Sequence, residues 1–213
     1  MKGNGKKLAV IMVVAAIAMF TAVAMASAFD NQWRKAIRGE YAFTGTGQCL
    51  FAPGGFTNFV PNYPDVSWYG PNWWDGVITF NKNGSGSLDA RHRYMGFYPK
   101  MGSNPGLPEY AGLAHIYWGF TYTVDRGKII FTVTPGTYKV EYQKGPDAPG
   151  SASGVEFDHP YDGYISADGK NLIVSYGVPM KGLAGPPCSE DPFNCFESVC
   201  SGTFQGFRTD WEQ

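Results

Sequence analysis

Charged residues are scarce in this chain, and the two signs nearly balance. Only 16% of the 213 residues are charged, with 17 Lys and Arg against 18 Asp and Glu. No part of the sequence is basic enough to present the positive face that nucleic acid requires. The composition therefore predicts no nucleic-acid partner, and it argues weakly against a surface for anionic lipid.

The motifs of common catalytic and cofactor sites are also missing. No Gly-x-Ser-x-Gly elbow occurs, and the Gly-rich stretches lack the Lys and the following helix of a phosphate-binding loop. The four cysteines show no CxxC pair, haem motif or zinc-finger spacing, and the three histidines show no HxH or HxxxH spacing. We therefore predict no metal, no cofactor and no catalytic residue.

The first 28 residues have the pattern of an export signal. Lys2, Lys6 and Lys7 precede an apolar run over Leu8–Phe20, and Ala26-Ser27-Ala28 is a small-x-small cleavage sequence. The alternative is an uncleaved membrane anchor, since the run is nearly long enough to cross a bilayer. We favour cleavage after residue 28 and a periplasmic or secreted product.

Removal of the signal leaves one domain over residues 29–213. The 213 residues less the 28 of the signal leave 185, enough for a sizeable core. The 17 basic residues less the three signal lysines leave 14 against 18 acidic ones, a formal charge of −4. All four cysteines lie in this part, and an even number in an oxidising compartment favours two disulfides.

The mature chain reads as strands and turns. Ala114–Val124 alternates apolar and polar residues, as expected for a strand with one buried face. Turn residues separate the other segments, among them Lys82-Asn83-Gly84 and Ala167-Asp168-Gly169. The predicted elements are a short helix at Asp30–Arg38 and strands at Glu40–Leu50, Trp74–Asn81, Ser85–Tyr94, Ala114–Val124, Lys128–Thr134, Thr137–Gln143, Tyr161–Ser166, Asn171–Tyr176 and Ser201–Thr209.

These eight or nine strands follow one another without helical crossovers. We therefore predict an all-β fold, an antiparallel up-and-down β-barrel, with a two-sheet β-sandwich as the alternative. If the first and last strands pair, Cys49 lies beside Cys200, and Cys188 is left to pair with Cys195. The Pro/Gly-rich segments Phe51–Trp73 and Tyr98–Gly112 are then expected to be loops over an open end of the barrel.

A resemblance to lipocalins begins at Gly39-Glu40-Tyr41. Lipocalins open with a helical turn and a Gly-x-Trp at the first strand, and residues 33–41 are similar, with Tyr41 in place of the tryptophan. Arg208 matches the Arg that lipocalins place late in the last strand. The resemblance implies a cup-shaped barrel that holds a small apolar ligand. The chain also resembles secreted bacterial proteins that begin Gly-x-Tyr-x-Phe-x-Gly with a Cys shortly after, which implies no activity.

His92 is the most informative single residue. Alternation along its strand places Leu88, Ala90, His92 and Tyr94 on one face, so His92 is expected to point into the barrel. It could then bind a ligand or transfer a proton, or it could be a core histidine paired with a neighbouring group. The candidate ligand-binding residues are His92, Tyr94, Trp118, Phe120, Tyr122, Trp68, Trp73 and Trp74.

The remaining candidates are weaker. His115 falls on a polar face, and His159 lies between Asp158 and Asp162 in a turn, where the two carboxylates are either a dyad or a solvated turn. The Trp68–Trp74 segment either stacks on a ligand or plugs the barrel mouth.

Three functions remain open from the sequence. The first is a binding protein for a small apolar ligand, and the second is a barrel enzyme of cyclase or isomerase type that uses His92. The third is a structural or envelope-interaction protein with a plugged barrel, which includes a membrane-spanning barrel. Four cysteines and the lack of an aromatic-ended final strand argue against spanning. We favour a non-enzymatic barrel.

Overall fold

A computed structural model describes residues 32–58, 60–63, 67–97, 110–145, 148–153, 156–157, 160–184 and 196–209. Within these ranges the chain forms a helical turn at residues 32–36 followed by strands only. The strands are β1 (Gly39–Pro53), β2 (Phe56–Thr57), β3 (Val60–Pro61), β4 (Trp68–Phe80), β5 (Ser85–Gly96), β6 (Tyr110–Asp125), β7 (Lys128–Val133), β8 (Lys139–Lys144), β9 (Gly150–Ser153), β10 (Glu156–Phe157), β11 (Tyr161–Ile165), β12 (Asn171–Ala184) and β13 (Phe196–Arg208).

Eight strands close into a ring in which each pairs antiparallel with the next. The order is β1, β4, β5, β6, β7, β11, β12 and β13, and β13 pairs back onto β1. Closure satisfies the hydrogen-bonding groups that an edge strand would leave open. The predicted up-and-down barrel is confirmed, and the β-sandwich alternative is wrong.

Two strands that were predicted separately, β7 and β8, occupy one position in the barrel. Both β7 and β8 lie against the same edge of β6, at residues 120–125 and 113–117 respectively. The chain between them bends at Pro135-Gly136, where the Thr137 hydroxyl accepts from the Gly119 amide at 3.0 Å and donates to the Thr134 carbonyl at 2.6 Å. The nine predicted strands therefore form eight positions around the ring.

The core lies inside the ring and is largely aromatic. Trp118 is 1% exposed, and its ring stacks on Tyr161 at a centroid distance of 5.3 Å and on Phe131 at 6.0 Å. The alternation predicted for β6 is confirmed, since six alternate residues of this strand are buried: Ala114, Ile116, Trp118, Phe120, Tyr122 and Val124.

The helical turn at residues 32–36 closes one end of the barrel. The Tyr41 hydroxyl donates to the Gly169 carbonyl at 2.7 Å, and Arg208 Nη1 donates to the Ala36 carbonyl at 3.2 Å. Gly169 has a φ of 71°, and a Cβ there would lie 2.2 Å from the Ala36 oxygen. Only glycine fits both the positive φ and the short distance to the Ala36 oxygen, so this turn can pack tightly against residue 36.

A disulfide joins the first and last strands. Cys49 and Cys200 are register partners across the β1–β13 pair, with Cα atoms 4.1 Å apart. The predicted Cys49–Cys200 bridge at the seam is confirmed. Cys188 and Cys195 lie outside the described residues, so their predicted pairing stays a prediction.

The prediction of a loop over residues 51–73 is wrong at both ends of the segment. Pairing of β1 with β4 continues to Phe51↔Trp68, so strand structure replaces loop at both ends of the segment. Between them, the β2–β3 hairpin is held where Glu197 Oε2 accepts from the Phe56 amide at 3.0 Å. Local Pro, Gly and Asn content suggested a loop, but partner strands on both sides supply the hydrogen bonds that make a strand. The second expected loop, Tyr98–Gly112, is wrong over residues 110–112, which pair with β5 as the start of β6. Its residues 98–109 lie outside the described part of the chain.

Candidate functional site at the open end of the barrel

The barrel interior changes character toward the end opposite the helical turn. Strand register places two consecutive rows of inward-facing residues there, and we call them together the cup. One row is Gly45, Trp74, His92, Ala114 and Tyr142, and the other is Gly202, Gly47, Asn72, Tyr94 and Gly112.

Solvent reaches the cup but not the rows beneath it. The inward side chains of Trp74, His92, Tyr94 and Tyr142 are only half-buried, whereas Leu88 and Trp118 in the rows below are each 1% exposed. An inward-facing side chain of a closed barrel can meet water only through the lumen. The lumen is therefore accessible at this end.

Aromatic rings form one continuous wall of the cup. The Trp74 and His92 rings have centroids 4.5 Å apart, and His92 and Tyr94 stack at 5.5 Å with an interplanar angle of 28°. Tyr142 meets Tyr94 edge to face at 6.4 Å. Such arrangements match the charge distribution of aromatic rings and add to the energy of burial.

Asn72 fixes the position of Trp74. Its Oδ1 accepts from Trp74 Nε1 at 2.5 Å, and its Nδ2 lies 3.5 Å from Cys49 Sγ. Asn72 is itself only 3% exposed. The seam disulfide, the amide and the indole therefore form one connected unit, and Trp74 is held on the inner face.

His92 has a polar atom that lacks a partner. Its Nε2 is buried and makes no hydrogen bond to the part of the chain that the structure describes. Burial lowers the pKa of His92 from 6.5 to about 3, because desolvation disfavours the charged ring. The imidazole is thus neutral at physiological pH and retains an unused hydrogen-bonding position. The strand register places His92 on the inner face of the barrel, as predicted.

The other predicted ligand-binding residues divide between core and surface. Trp118, Phe120 and Tyr122 belong to the packed core, with exposed fractions of 1%, 1% and 9%. Trp73 is 37% exposed and faces outward, as the neighbour of inward Trp74 must. Trp68 begins β4, and its side chain lies outside the described part.

Sequence reasoning missed the glycines and Asn72 as parts of the cup. Gly47 pairs with both Asn72 and Gly202, so β1 and β13 contribute no side chains at that row. The Pro71-Asn72-Trp73-Trp74 sequence carried a signal, because alternation puts Asn72 on the same face as Trp74. That signal was obscured by assigning residues 51–73 to a loop.

A small cavity of about 20 Å³ lies at the floor of the cup, bordered by Gly45 and Trp74 of the cup and by Leu88, Trp118 and Phe204 among others. That volume is the space of a single water molecule, not of an organic ligand. The Trp118 Nε1 is buried without a partner among the described residues.

Charged side chains of β4, β5 and β6 pair on the outer surface. His115 Nε2 is 2.6 Å from Asp89 Oδ1, and its Nδ1 is 4.0 Å from Glu141 Oε2. Asp75 forms ion pairs with Arg91 and with Arg93. The strand register places His115 on the outer, polar face, as predicted.

Metal-ligating groups do not gather anywhere in the described ranges: no set of three or more His, Cys, Asp or Glu is placed to hold an ion there. Asp162 is exposed, and its Oδ1 is 3.5 Å from Lys128 Nζ. Asp158 and His159 lie outside the described residues, so the proposed carboxylate dyad stays untested.

Comparison with known proteins adds no relative. No protein-family model matches the chain, and no curated protein sequence is significantly similar to it. Within the described ranges, no helix has the length and hydropathy needed to cross a membrane. The fold and the cup therefore provide the functional argument.

Proposed function

We propose that this protein is an exported β-barrel that binds a small apolar molecule in the cup. The observation that carries the proposal is His92, whose buried Nε2 has no partner in the described part of the chain, at a level of the lumen that solvent reaches. Buried polar groups are nearly always paired, and a bound ligand is one way to supply the missing partner. The aromatic wall would supply the apolar contact.

Adjacent tryptophans on β4 allow a matched test of this function. Trp74 faces the cup and Trp73 faces outward, so Trp74→Ala should weaken binding of the neutral fluorescent probe N-phenyl-1-naphthylamine at least tenfold. Trp73→Ala should leave the affinity unchanged. Equal affinity in both variants, or no binding by the unaltered protein together with no small-molecule adduct in native mass spectrometry, would contradict the proposal.

A binding function fits His92 better than proton transfer does. Efficient general acid–base catalysis needs a pKa near the working pH. Burial lowers the pKa of His92 to about 3, so the neutral ring is a weak base. A neutral imidazole can still donate or accept one hydrogen bond, and we therefore propose ligand binding rather than catalysis.

The lipocalin-like character is also a proposal. Its support is the helical turn that closes one end, together with Arg208 directly opposite Tyr41 at that end. Export rests on the signal sequence of residues 1–28, and the Cys49–Cys200 disulfide suits an oxidising compartment. Amino-terminal sequencing of protein from the periplasm or medium should begin at Phe29.

A second candidate is an interaction role for the outer surface. An open groove of about 570 Å³ runs along β4 and β5, and Val77 and Tyr117 are exposed in it, at 37% and 42%. Under this function Tyr117→Ser, but not Trp74→Ala, should remove complexes seen on native gels of the protein in its own extract. Complexes that disappear in Trp74→Ala but persist in Tyr117→Ser would instead favour binding in the cup.

A further inference from the structure

The cup combines a flat wall with a wall that has almost no side chains. Trp74, His92 and Tyr94 present ring faces on adjacent strands, and Gly45 and Gly47 lie beside them on β1. A Cβ at Gly45 would lie 2.5 Å from Phe204 Cβ, so an aromatic side chain also adjoins this glycine. Ring faces on adjacent strands favour a flat partner, because stacking needs a planar surface.

The glycine at one side of the cup positions an aromatic ring. A Cβ at Gly112 would lie 2.2 Å from the Tyr94 ring, so Tyr94 lies directly over the Gly112 backbone. That contact holds the Tyr94 ring in the stack with His92. The flat wall is consequently built into the strands and does not depend on a bound molecule.

Formal charge is absent from both rows of the cup. Their members are glycine, alanine, asparagine and aromatic residues, together with His92, which is neutral at physiological pH because burial lowers its pKa. An ionised ligand would lose its hydration there without gaining a counter-charge. A neutral ligand with one polar atom meets no such penalty, because His92 Nε2 can pair with it.

We infer that the ligand is a flat, uncharged aromatic molecule with a single hydroxyl or ring nitrogen that hydrogen-bonds to His92. The inference rests on the proposed function, since it names the ligand class for the same cup. It separates this barrel from carriers of flexible chains, because a linear alkyl chain gains little from stacked rings. It also disfavours carboxylates, because the residues named in the two rows of the cup include no cation.

Four probes of related structure test the inference on the full mature chain. These are 2-naphthol, naphthalene, 2-naphthoate and decan-1-ol, with affinities measured by tryptophan fluorescence and by native mass spectrometry. We expect 2-naphthol to bind about five- to tenfold more tightly than naphthalene, the effect of one hydrogen bond. We expect 2-naphthoate and decan-1-ol to bind at least tenfold more weakly than 2-naphthol.

Two variants separate the hydrogen bond from the shape of the cup. His92→Phe keeps a ring but removes Nε2, so it should bind 2-naphthol and naphthalene equally. His115→Gln, on the outer face, should preserve the preference. Folding of each variant is checked by its near-ultraviolet circular dichroism, and Tyr94→Leu provides a second route, since it should weaken both naphthalenes together.

The outcomes distinguish the inference from the proposed function. Binding of decan-1-ol or 2-naphthoate in preference to 2-naphthol, lost in Trp74→Ala, would overturn the inference and keep the binding function. A preference for 2-naphthol that survives His92→Phe would also overturn it. Failure of all four probes, with no adduct on the native protein, would overturn both.

Discussion

Tyr41 and Arg208 lie directly opposite each other on the first and last strands of the barrel. Each also reaches a different backbone carbonyl, of Gly169 and Ala36 respectively, so two side chains tie three separate segments together. This relationship closes the end of the barrel that carries the helical turn. The cup, where we propose that the ligand binds, lies at the opposite end.

The Tyr41 hydroxyl should contribute measurably to stability. Tyr41→Phe leaves the Gly169 carbonyl without its buried donor, which we expect to cost about 1–3 kcal/mol. Tyr164→Phe is the control, since Tyr164 is 63% exposed and should change stability by less than about 0.5 kcal/mol. Urea denaturation measures both, and equal effects would show that the closing contact is not formed in solution.

The seam disulfide should stabilise the barrel strongly. It links residues 151 positions apart, and replacing both Cys49 and Cys200 with serine should cost about 2–5 kcal/mol. Thermal unfolding under non-reducing conditions measures the loss. Gln48→Ser, beside the disulfide on the outer face, is the control, and a double variant as stable as this control would contradict the assigned pairing.

The aromatic core should tolerate truncation poorly. Phe131 is fully buried and packs on Trp118, Phe120 and Tyr161, so Phe131→Ala should destabilise by about 3–5 kcal/mol. Phe207→Ala removes the same atoms from a side chain that is 58% exposed and should cost far less. If chemical denaturation gave similar losses for both, the interior and exterior faces would be misassigned.

Two glycines, one on β4 and one on β6, should respond oppositely to an added methyl group. A Cβ at Gly76 would lie 2.1 Å from the Asp89 carbonyl oxygen, so Gly76→Ala forces the β4–β5 pair apart. At Gly119 the nearest atom is 3.6 Å away, and Gly119→Ala should be neutral or stabilise by up to about 1 kcal/mol. Melting temperatures compare the two directly, and a stable Gly76→Ala protein would refute the close approach.

His92 should make stability depend on pH. Its folded pKa, about 3, lies below the unfolded value of 6.5, so between these values the unfolded chain binds a proton that the native protein does not. The effect of His92 on the free energy of unfolding is therefore constant above pH 6.5. Below pH 6.5 the free energy of unfolding falls by about 1.4 kcal/mol per pH unit, a total loss on the order of 3 kcal/mol at pH 4.

The measurement is a difference between two proteins. Other groups titrate equally in both, so the gap in unfolding free energy between the unaltered chain and His92→Phe isolates the effect of His92. We expect that gap to vary with pH below 6.5 and to stay constant above it. A flat difference would show that the His92 ring binds its proton equally well in the folded and the unfolded protein, and would contradict the prediction.

Alternation was the strongest guide that the sequence offered to the fold. It identified the buried face of β6 and the inward side of His92, because successive side chains of a strand point to opposite faces. It failed over residues 51–73, where Pro and Gly content suggested a loop although β1 and β13 support strand pairing. Local composition reports local preference, whereas a strand also depends on distant partners.

The candidate site was only partly predictable for the same reason. His92, Tyr94 and Trp74 were named from their own strands, but Gly47 enters the cup only through its register with Asn72, and Asn72 was assigned to a loop. Trp118 and Phe120 have the same alternation as the cup residues, so sequence could not separate core from lining. The depth of a residue along the barrel axis decides whether it is packed in the core or lines the cup.

The sequence by itself determined a series of antiparallel strands joined by short turns and the faces of those strands, because a period of two and neighbouring hairpins are local properties. The pairing of Cys49 with Cys200 depended on closure of the ring, which brings together residues 151 positions apart. The tertiary structure alone decided which rows fill the interior and which remain open to solvent. The reason is that closing the ring sets the register among eight strands at once, and only that register places the glycines beside the aromatic wall and leaves His92 Nε2 without a hydrogen-bond partner among the described residues.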